Sequence, residues 1–169
     1  NPSKLIWLNQ HYIKTSDAAH VAHHLSWHMG RLGVDPSTGP ALVEVVQAQR
    51  ERAKTLVEMA QNSVIFYREF DVYDEKAAAK HLKQDITPAL TDLRGRFAAL
   101  PEWSSEAIHQ AVMDVAQARD MKMGKLAQPL RVALCGTDVS PPIDVTVRLI
   151  GRERTLRRMD RALKYIFGD

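Results

Sequence analysis

Residues 104–118 read Ser-Ser-Glu-Ala-Ile-His-Gln-Ala-Val-Met-Asp-Val-Ala-Gln-Ala. In that stretch Ile108, Val112, Val115 and Ala116 recur with the helical period and share one face, whereas a half-buried strand would alternate every second residue. Ser104, Ser105 and Glu106 stand where a hydroxyl and a carboxylate can accept from the first unpaired N–H groups of a helix. The stretch predicts an amphipathic helix with a defined start. Upstream, 85–100 repeats the pattern with Leu90, Leu93, Phe97 and Leu100 inward. Pro88 falls in its first turn, where a missing N–H costs little, and Pro101 stops it.

The same period runs outward in both directions. It predicts helices over 4–13, 18–29, 41–49, 52–61, 76–82, 121–134, 143–150 and 152–167. Ser16 and Asp17 can cap the second of these, which stops near Gly30 to Gly33. Residues 34–40 hold two prolines and a glycine and mark the expected internal boundary. Residues 63–73 are rich in β-branched and aromatic side chains and read as irregular rather than as a firm strand. Short connections with almost no strand period predict an all-α fold, a helical bundle or cage of two small subdomains.

The chain has 169 residues, 45% of them hydrophobic and 25% charged, which predicts a packed core and excludes wholesale disorder. No window approaches the ~18 continuous apolar residues of a membrane span. The opening Asn1-Pro2-Ser3-Lys4 precedes no signal-peptide apolar region and has no initiator Met, which reads as a piece of a longer chain. A single cysteine, Cys135, permits no internal disulfide and fits a reducing, cytoplasmic setting.

The net charge of +3 is a weak indicator, but its distribution is uneven. From Arg148 to Lys164 seven basic residues face Glu153 and Asp160, which leaves 7 − 2 = +5 on about one helix. From Glu69 to Asp92 six acidic residues outnumber Lys76, Lys80 and Lys83. One face is thereby expected to attract a polyanion and another to repel it.

His20, His24 and His28, with His23 beside them, lie at helical spacing, and imidazoles at i and i+4 can chelate zinc. No cysteine completes the set and no glutamate stands as a base, so a polar helix face is the simpler reading. Cys135 sits among Leu130, Val132 and Leu134 and reads as a small buried hydrophobe rather than a nucleophile. There is no P-loop, no G-x-G-x-x-G and no G-x-S-x-G elbow. Lys122-Met123-Gly124-Lys125 imitates a class I synthetase loop but lacks its serines, and a basic helix start explains it. Arg131, on an apolar helix close to Pro141-Pro142, can stack on a base or read its edge. On the residues alone the simpler reading is that it caps helix ends through carbonyls and that Pro141-Pro142 breaks the chain.

Residues 4–13, Lys-Leu-Ile-Trp-Leu-Asn-Gln-His-Tyr-Ile, resemble the K-L-x-W-x-N-x-x-Y-I stretch of bacterial glutamyl-tRNA synthetases. Residues 129–134, Pro-Leu-Arg-Val-Ala-Leu, with Gly136 and Ser140-Pro141-Pro142, resemble the P-L-R-x-A-L-x-G…S/T-P element of that family. Residues 149–154, Leu-Ile-Gly-Arg-Glu-Arg, are similar to its L-L-G-x-E-R helix start. These matches span essentially the whole chain in the family's order.

The resemblance implies a stem-contact segment over 1–35 and two anticodon-binding helical subdomains over 36–120 and 121–169. It implies that Arg131 contacts an anticodon base, that Ser140, Pro141 and Ile143 pack around the third one, and that 137–139 lie alongside. A further arginine reads the first base, with Arg52 the candidate and Arg50 and Lys54 its rivals. Lys122, Lys125, Arg152 and Arg157 are the expected tRNA-backbone contacts. The partner implied is tRNA(Glu), no catalytic residue or metal site is expected in this chain, and a monomer is the expected state. ATP and magnesium would serve the full-length enzyme through motifs that this chain lacks. The competing readings are a stand-alone nucleic-acid-binding module and a structural helical bundle for protein contacts.

Overall fold

The structure, a computed structural model, describes residues 2–168. Asn1 and Asp169, the outer ends of the expected 1–35 and 121–169 segments, lie outside the described residues. Ten α-helices and three 3-10 turns make up the described chain, with no strand among the described residues. The all-α class follows directly.

Contacts divide the chain into two units, one ending at Glu69 and the next beginning at Phe70. This is a different division from the expected boundaries at 35/36 and 120/121. The punctuated stretch 34–40 lies inside the first unit for a packing reason. The Tyr67 hydroxyl donates to the Pro40 carbonyl oxygen at 2.7 Å. A Cβ on Gly39 would come within 2.7 Å of the Tyr67 ring and 2.8 Å of the Phe66 carbonyl oxygen, so only glycine lets these segments close. Proline and glycine mark where the chain turns, and the turn here is pinned back onto its own unit.

The first unit contains α1 (Pro2–Thr15), α2 (Ala18–Arg31), α3 (Leu42–Gln49) and α4 (Leu56–Ser63). Val21, Leu25 and Met29 of α2 pack with Val45 and Val46 of α3 and Met59 of α4, all fully buried. The helix expected over 52–61 begins later. Thr55 is its N-cap and accepts from the Glu58 N–H at 3.1 Å, so Arg52 and Ala53 belong to the preceding turn. Arg50 donates to the carbonyl oxygen of Ile13 from Nε at 3.0 Å and from Nη2 at 2.8 Å, and also to that of Ser16. These are carbonyls at and just after the end of α1, which no intrahelical N–H reaches.

The second unit contains α5 (Glu75–His81), α6 (Thr87–Ala99), α7 (Ser105–Ala118), α8 (Met123–Cys135), α9 (Ile143–Ile150) and α10 (Arg152–Phe167). Asp74 caps α5 by accepting from Ala77 N–H at 3.0 Å, and Ser104 caps α7 by accepting from Ala107 N–H at 3.2 Å. The core joins Leu90, Leu93 and Phe97 of α6 to Ile108, Val112 and Val115 of α7, with α8 and α10 packed against α6. On another face of α8, Val132 and Ala133 pack with Ala77, Ala78 and Leu82 of α5 and Ala162 of α10. Helices α6 and α7, grouped with 36–120 by sequence, thus share a core with 121–168.

Candidate nucleic-acid interface

The resemblance pointed to α8 and the loop after it, and the structure builds a polar cluster there. Helix α8 ends at Gly136, whose φ of 79° is the left-handed conformation that other residues adopt only with strain. A Cβ at that glycine would also meet the Phe70 ring at 3.0 Å and the Val72 carbonyl oxygen at 3.2 Å. The Gly136 carbonyl oxygen accepts from Asp74 N–H at 2.8 Å. The loop that follows therefore leaves α8 from a fixed point.

That loop returns to α8 at Ser140. Arg131 Nε donates to Ser140 Oγ at 2.7 Å, and Nη1 donates to the Gln128 side-chain oxygen one turn back. Nη2 lies 3.5 Å from the Pro141 carbonyl oxygen, a long contact that contributes little. Thr146 of α9, fully buried, places Oγ1 3.1 Å from Ser140 Oγ and 3.0 Å from the Pro141 carbonyl oxygen. The guanidinium is held from two sides on a half-buried base, with its plane set before any partner arrives. Its five N–H donors cannot be deprotonated near neutral pH, so the group offers a charged, planar donor array.

Pro141 and Ile143 turn into the protein and are buried. The apolar surface left open beside Ser140 belongs to Pro142 and to Val139, which is 67% exposed. A base entering beside Arg131 would meet those two side chains first. Arg131, Ser140, Pro141 and Thr146 are joined by these contacts, and Ile143, at the start of α9, is buried nearby in sequence. Nothing in the spelling of residues 140–146 singles out Thr146, because its role depends on how α9 docks.

Arg52 belongs to the first unit, outside this cluster. It is exposed, and no side-chain partner of it is found among the described residues. Lys54 is exposed as well, whereas the Arg50 guanidinium is taken up by the carbonyls of Ile13 and Ser16. Arg52 and Lys54 therefore keep the geometry for a solvent-side contact and Arg50 loses it.

The basic run over 148–164 is mostly architectural. Arg152 donates to the Phe97 and Ala98 carbonyl oxygens at 3.0 and 3.1 Å and lies over the Trp103 ring. Arg158 is fully buried and donates to the Leu134 carbonyl oxygen at 2.9 Å. Arg161 donates to the Phe70 and Asp71 carbonyl oxygens at 2.5 and 2.6 Å. Arg148 donates to Ser105 Oγ at 3.0 Å, and Arg157 pairs with Glu153 at 3.1 Å. The expected +5 face for a polyanion is thus largely an internal set of arginine clamps. Arg152 fits a clamp role better than a backbone contact, while Arg157 stays exposed beside Glu153. Lys122, at the N-cap of α8, and Lys125, in its first turn, are exposed.

The acidic stretch is also less of a barrier than its composition suggests. Asp74 is a helix cap, and Asp92 sits between Arg96 and Arg119 at 2.9 and 3.4 Å. The Arg96 hydrogen bond, ahead of the charges of Arg96 and Arg119, holds the Asp92 carboxyl below its usual value.

In the first unit His20, His24 and His28 line a groove of about 710 Å³ with Tyr12, Ile13 and Leu56. The His20 and His24 rings meet edge to face at 4.9 Å. Among the described residues no group of three or more His, Cys, Asp or Glu is arranged to hold a metal ion. Cys135 is half-buried rather than fully buried as expected, and desolvation still pushes its thiol up to about 12, outweighing the nearby charges of Arg158 and Arg131. Alkylation of Cys135 at pH 8 should run roughly a thousandfold slower in the folded chain than in urea, because the thiolate is the reacting form. Equal labelling rates in the two states would show the thiol to be open.

A sequence model of the family described as "Anticodon binding domain" matches residues 18–163. The chain belongs to that family. The cluster around Arg131 lies inside the matched region of this anticodon-binding domain. Glutamate--tRNA ligase 1 of Nitrosococcus oceani is 55% identical over 166 residues, covering 98% of this chain and 35% of the relative. Glutamate--tRNA ligase 2 of Halorhodospira halophila is 51% identical with the same coverage. The chain thus spans about a third of the length of these curated relatives. Among solved structures, a glutamate tRNA ligase from Elizabethkingia meningosepticum in complex with its amino acid superposes with a TM-score of 0.88 at 21% identity. That match covers 98% of this chain and 33% of the solved one, and it supports the fold of the anticodon-binding domain. No helix among the described residues is long and apolar enough to cross a membrane.

Proposed function

We propose that this chain is the anticodon-reading part of a glutamate--tRNA ligase and that its partner is tRNA(Glu). The observation that carries the reading is the guanidinium of Arg131, fixed by Ser140 and Gln128 inside the family-matched region. Unstacked anticodon bases are recognised by stacking and by hydrogen bonds to their edges, while cations hold the backbone. In this mechanism Arg131 donates to one base. Ser140, Pro141 and Ile143 form the floor for the third, and Arg52 meets the first. Lys122 and Lys125 face the backbone. The full-length parent attaches glutamate to tRNA(Glu) with ATP and magnesium, works in the cytoplasm as a monomer, and carries its catalytic residues outside this chain. Binding here orients the acceptor end toward them.

The test is the affinity of this chain for tRNA(Glu) and for the same RNA with a swapped anticodon, each at two salt concentrations. The expected result is a clear preference for the glutamate anticodon, with both affinities falling as salt rises. Equal, salt-sensitive affinities would leave a general RNA-binding module, and no salt-sensitive binding would leave a structural bundle.

A further inference from the structure

The free positive charge of the second unit is carried by lysines rather than by its arginines, and three of them gather where α5 meets α8. Helix α5 packs along α8 through Ala77, Ala78 and Leu82 against Val132 and Ala133. The Asp74 N–H bonds to the Gly136 carbonyl oxygen, which places the start of α5 by the end of α8. Packed along α8 in this way, the end of α5 brings Lys80, His81 and Lys83 within electrostatic range of Lys125, whose charge acts on His81 together with those of Lys80 and Lys83. All three lysines are exposed, and no hydrogen bond or ion pair to their ammonium groups is found among the described residues. Lys125 lies one turn before Gln128, whose side chain accepts from Arg131, so the lysine stands less than two turns from the base-reading guanidinium along α8.

We infer that Lys80, Lys83 and Lys125 form a phosphate-contact site for the RNA backbone, leading into the cluster around Arg131. It rests on the tRNA reading above and replaces the α10 arginine run as the main electrostatic footing. The electrostatics around His81 agree with this placement. Its charged form is disfavoured first by burial and then by Lys80, Lys125 and Lys83, and Asp138 of the recognition loop is the opposing charge. A phosphodiester brings the negative charge that three lysines around one carboxylate lack. Ammonium groups on flexible stems suit such point-charge contacts, whereas the fork of Arg131 suits a base edge.

The sequence hid this site because Lys80 and Lys83 lie inside a stretch that is acidic on average. Glu75 sits at the opposite end of α5, and Asp74 is occupied as a cap.

The experiment compares the chain with the triple variant Lys80→Gln/Lys83→Gln/Lys125→Gln, using a tRNA(Glu) transcript and its anticodon-swapped form across a salt series. Each lost phosphate contact removes about 0.7–0.9 from the slope of log affinity against log salt. The slope should therefore become shallower by about 2, and affinity at ~50 mM salt should fall at least ~10-fold, equally for both RNAs. Circular dichroism and the urea midpoint of the triple variant, unchanged because all three side chains are exposed, separate this loss from misfolding. The inference is overturned if the slope keeps its wild-type value, or if Arg157→Gln/Lys164→Gln on α10 flattens it more than the triple does. A flattened slope in a chain that shows no anticodon preference would remove the base-reading assignment and still support the lysine site.

Discussion

Replacing Arg131 by alanine should weaken binding of the glutamate-anticodon RNA by about 1–3 kcal/mol, or ~5- to 150-fold, by analogy with a lost bidentate base contact. The swapped-anticodon RNA should lose little. The asymmetry follows from the geometry of the site. Arg131 is held by Ser140 and Gln128, so its plane is set in the free protein and little side-chain entropy is lost when a base arrives. A phosphate would accept the same charge from almost any orientation, whereas a base edge rewards the fork. Arg131→Lys separates the two roles, because it keeps the charge and loses the planar donor pair. It should lose the anticodon preference nearly as fully as alanine while keeping the salt slope. Alanine also strips a donor from Ser140, which lowers stability by about 1 kcal/mol, so the comparison belongs well below the unfolding midpoint. Equal losses on the two RNAs, from either variant, would make Arg131 a scaffold or phosphate residue.

The legible parts of this chain were those with local causes. Helices α9 and α10 run over Ile143–Ile150 and Arg152–Phe167, the ranges that the period and the flanking Pro142 and Gly151 predict. The capping serine of α7 was readable because Ser104 stands just before an apolar run. The start of α4 was misplaced, although Thr55 and Glu58 spell a capping pair, because the apolar period alone extends back through 52–54. The stretch 34–40 lies inside the first contact unit for a non-local reason, the contacts of Tyr67 with Pro40 and Gly39.

The candidate site divides along the same line. Arg131 and Ser140 are nine residues apart in one segment and could be read together. The docking of Lys80 and Lys83 beside Lys125 requires α5 to lie along α8, which no single segment encodes. The fate of the α10 arginines was equally hidden. Their acceptors are backbone carbonyls of Phe97, Leu134 and Phe70, and a carbonyl has no signature in sequence. A dense run of arginines reads as a surface footing for RNA, yet a guanidinium can satisfy several carbonyls at once and is suited to binding helix ends from within.

The second large effect expected is on stability, and it comes from that hidden use of arginine. Arg158→Ala should destabilise the second unit by about 3–5 kcal/mol, a large part of the stability of an ordinary domain. Arg158 has no exposed surface, and its guanidinium lies 5.7 Å from the Phe70 ring centre as well as donating to Leu134. Leu134 is in the last turn of α8, where carbonyls have no intrahelical donor, so alanine leaves a buried acceptor unpaired at a cost of about 1–3 kcal/mol. The cavity left by the long stem costs about as much as a large-to-small aliphatic truncation, roughly 2–5 kcal/mol, reduced by whatever the site can collapse. Arg158→Met fills most of the volume but restores no donor, so it should recover only the cavity part. Urea unfolding followed by circular dichroism measures both variants. A loss below ~1 kcal/mol in the alanine variant would mean that water reaches the Leu134 carbonyl and that α10 does not hold the end of α8. A loss on the expected scale would show that this buried arginine holds the last turn of α8 through the Leu134 carbonyl.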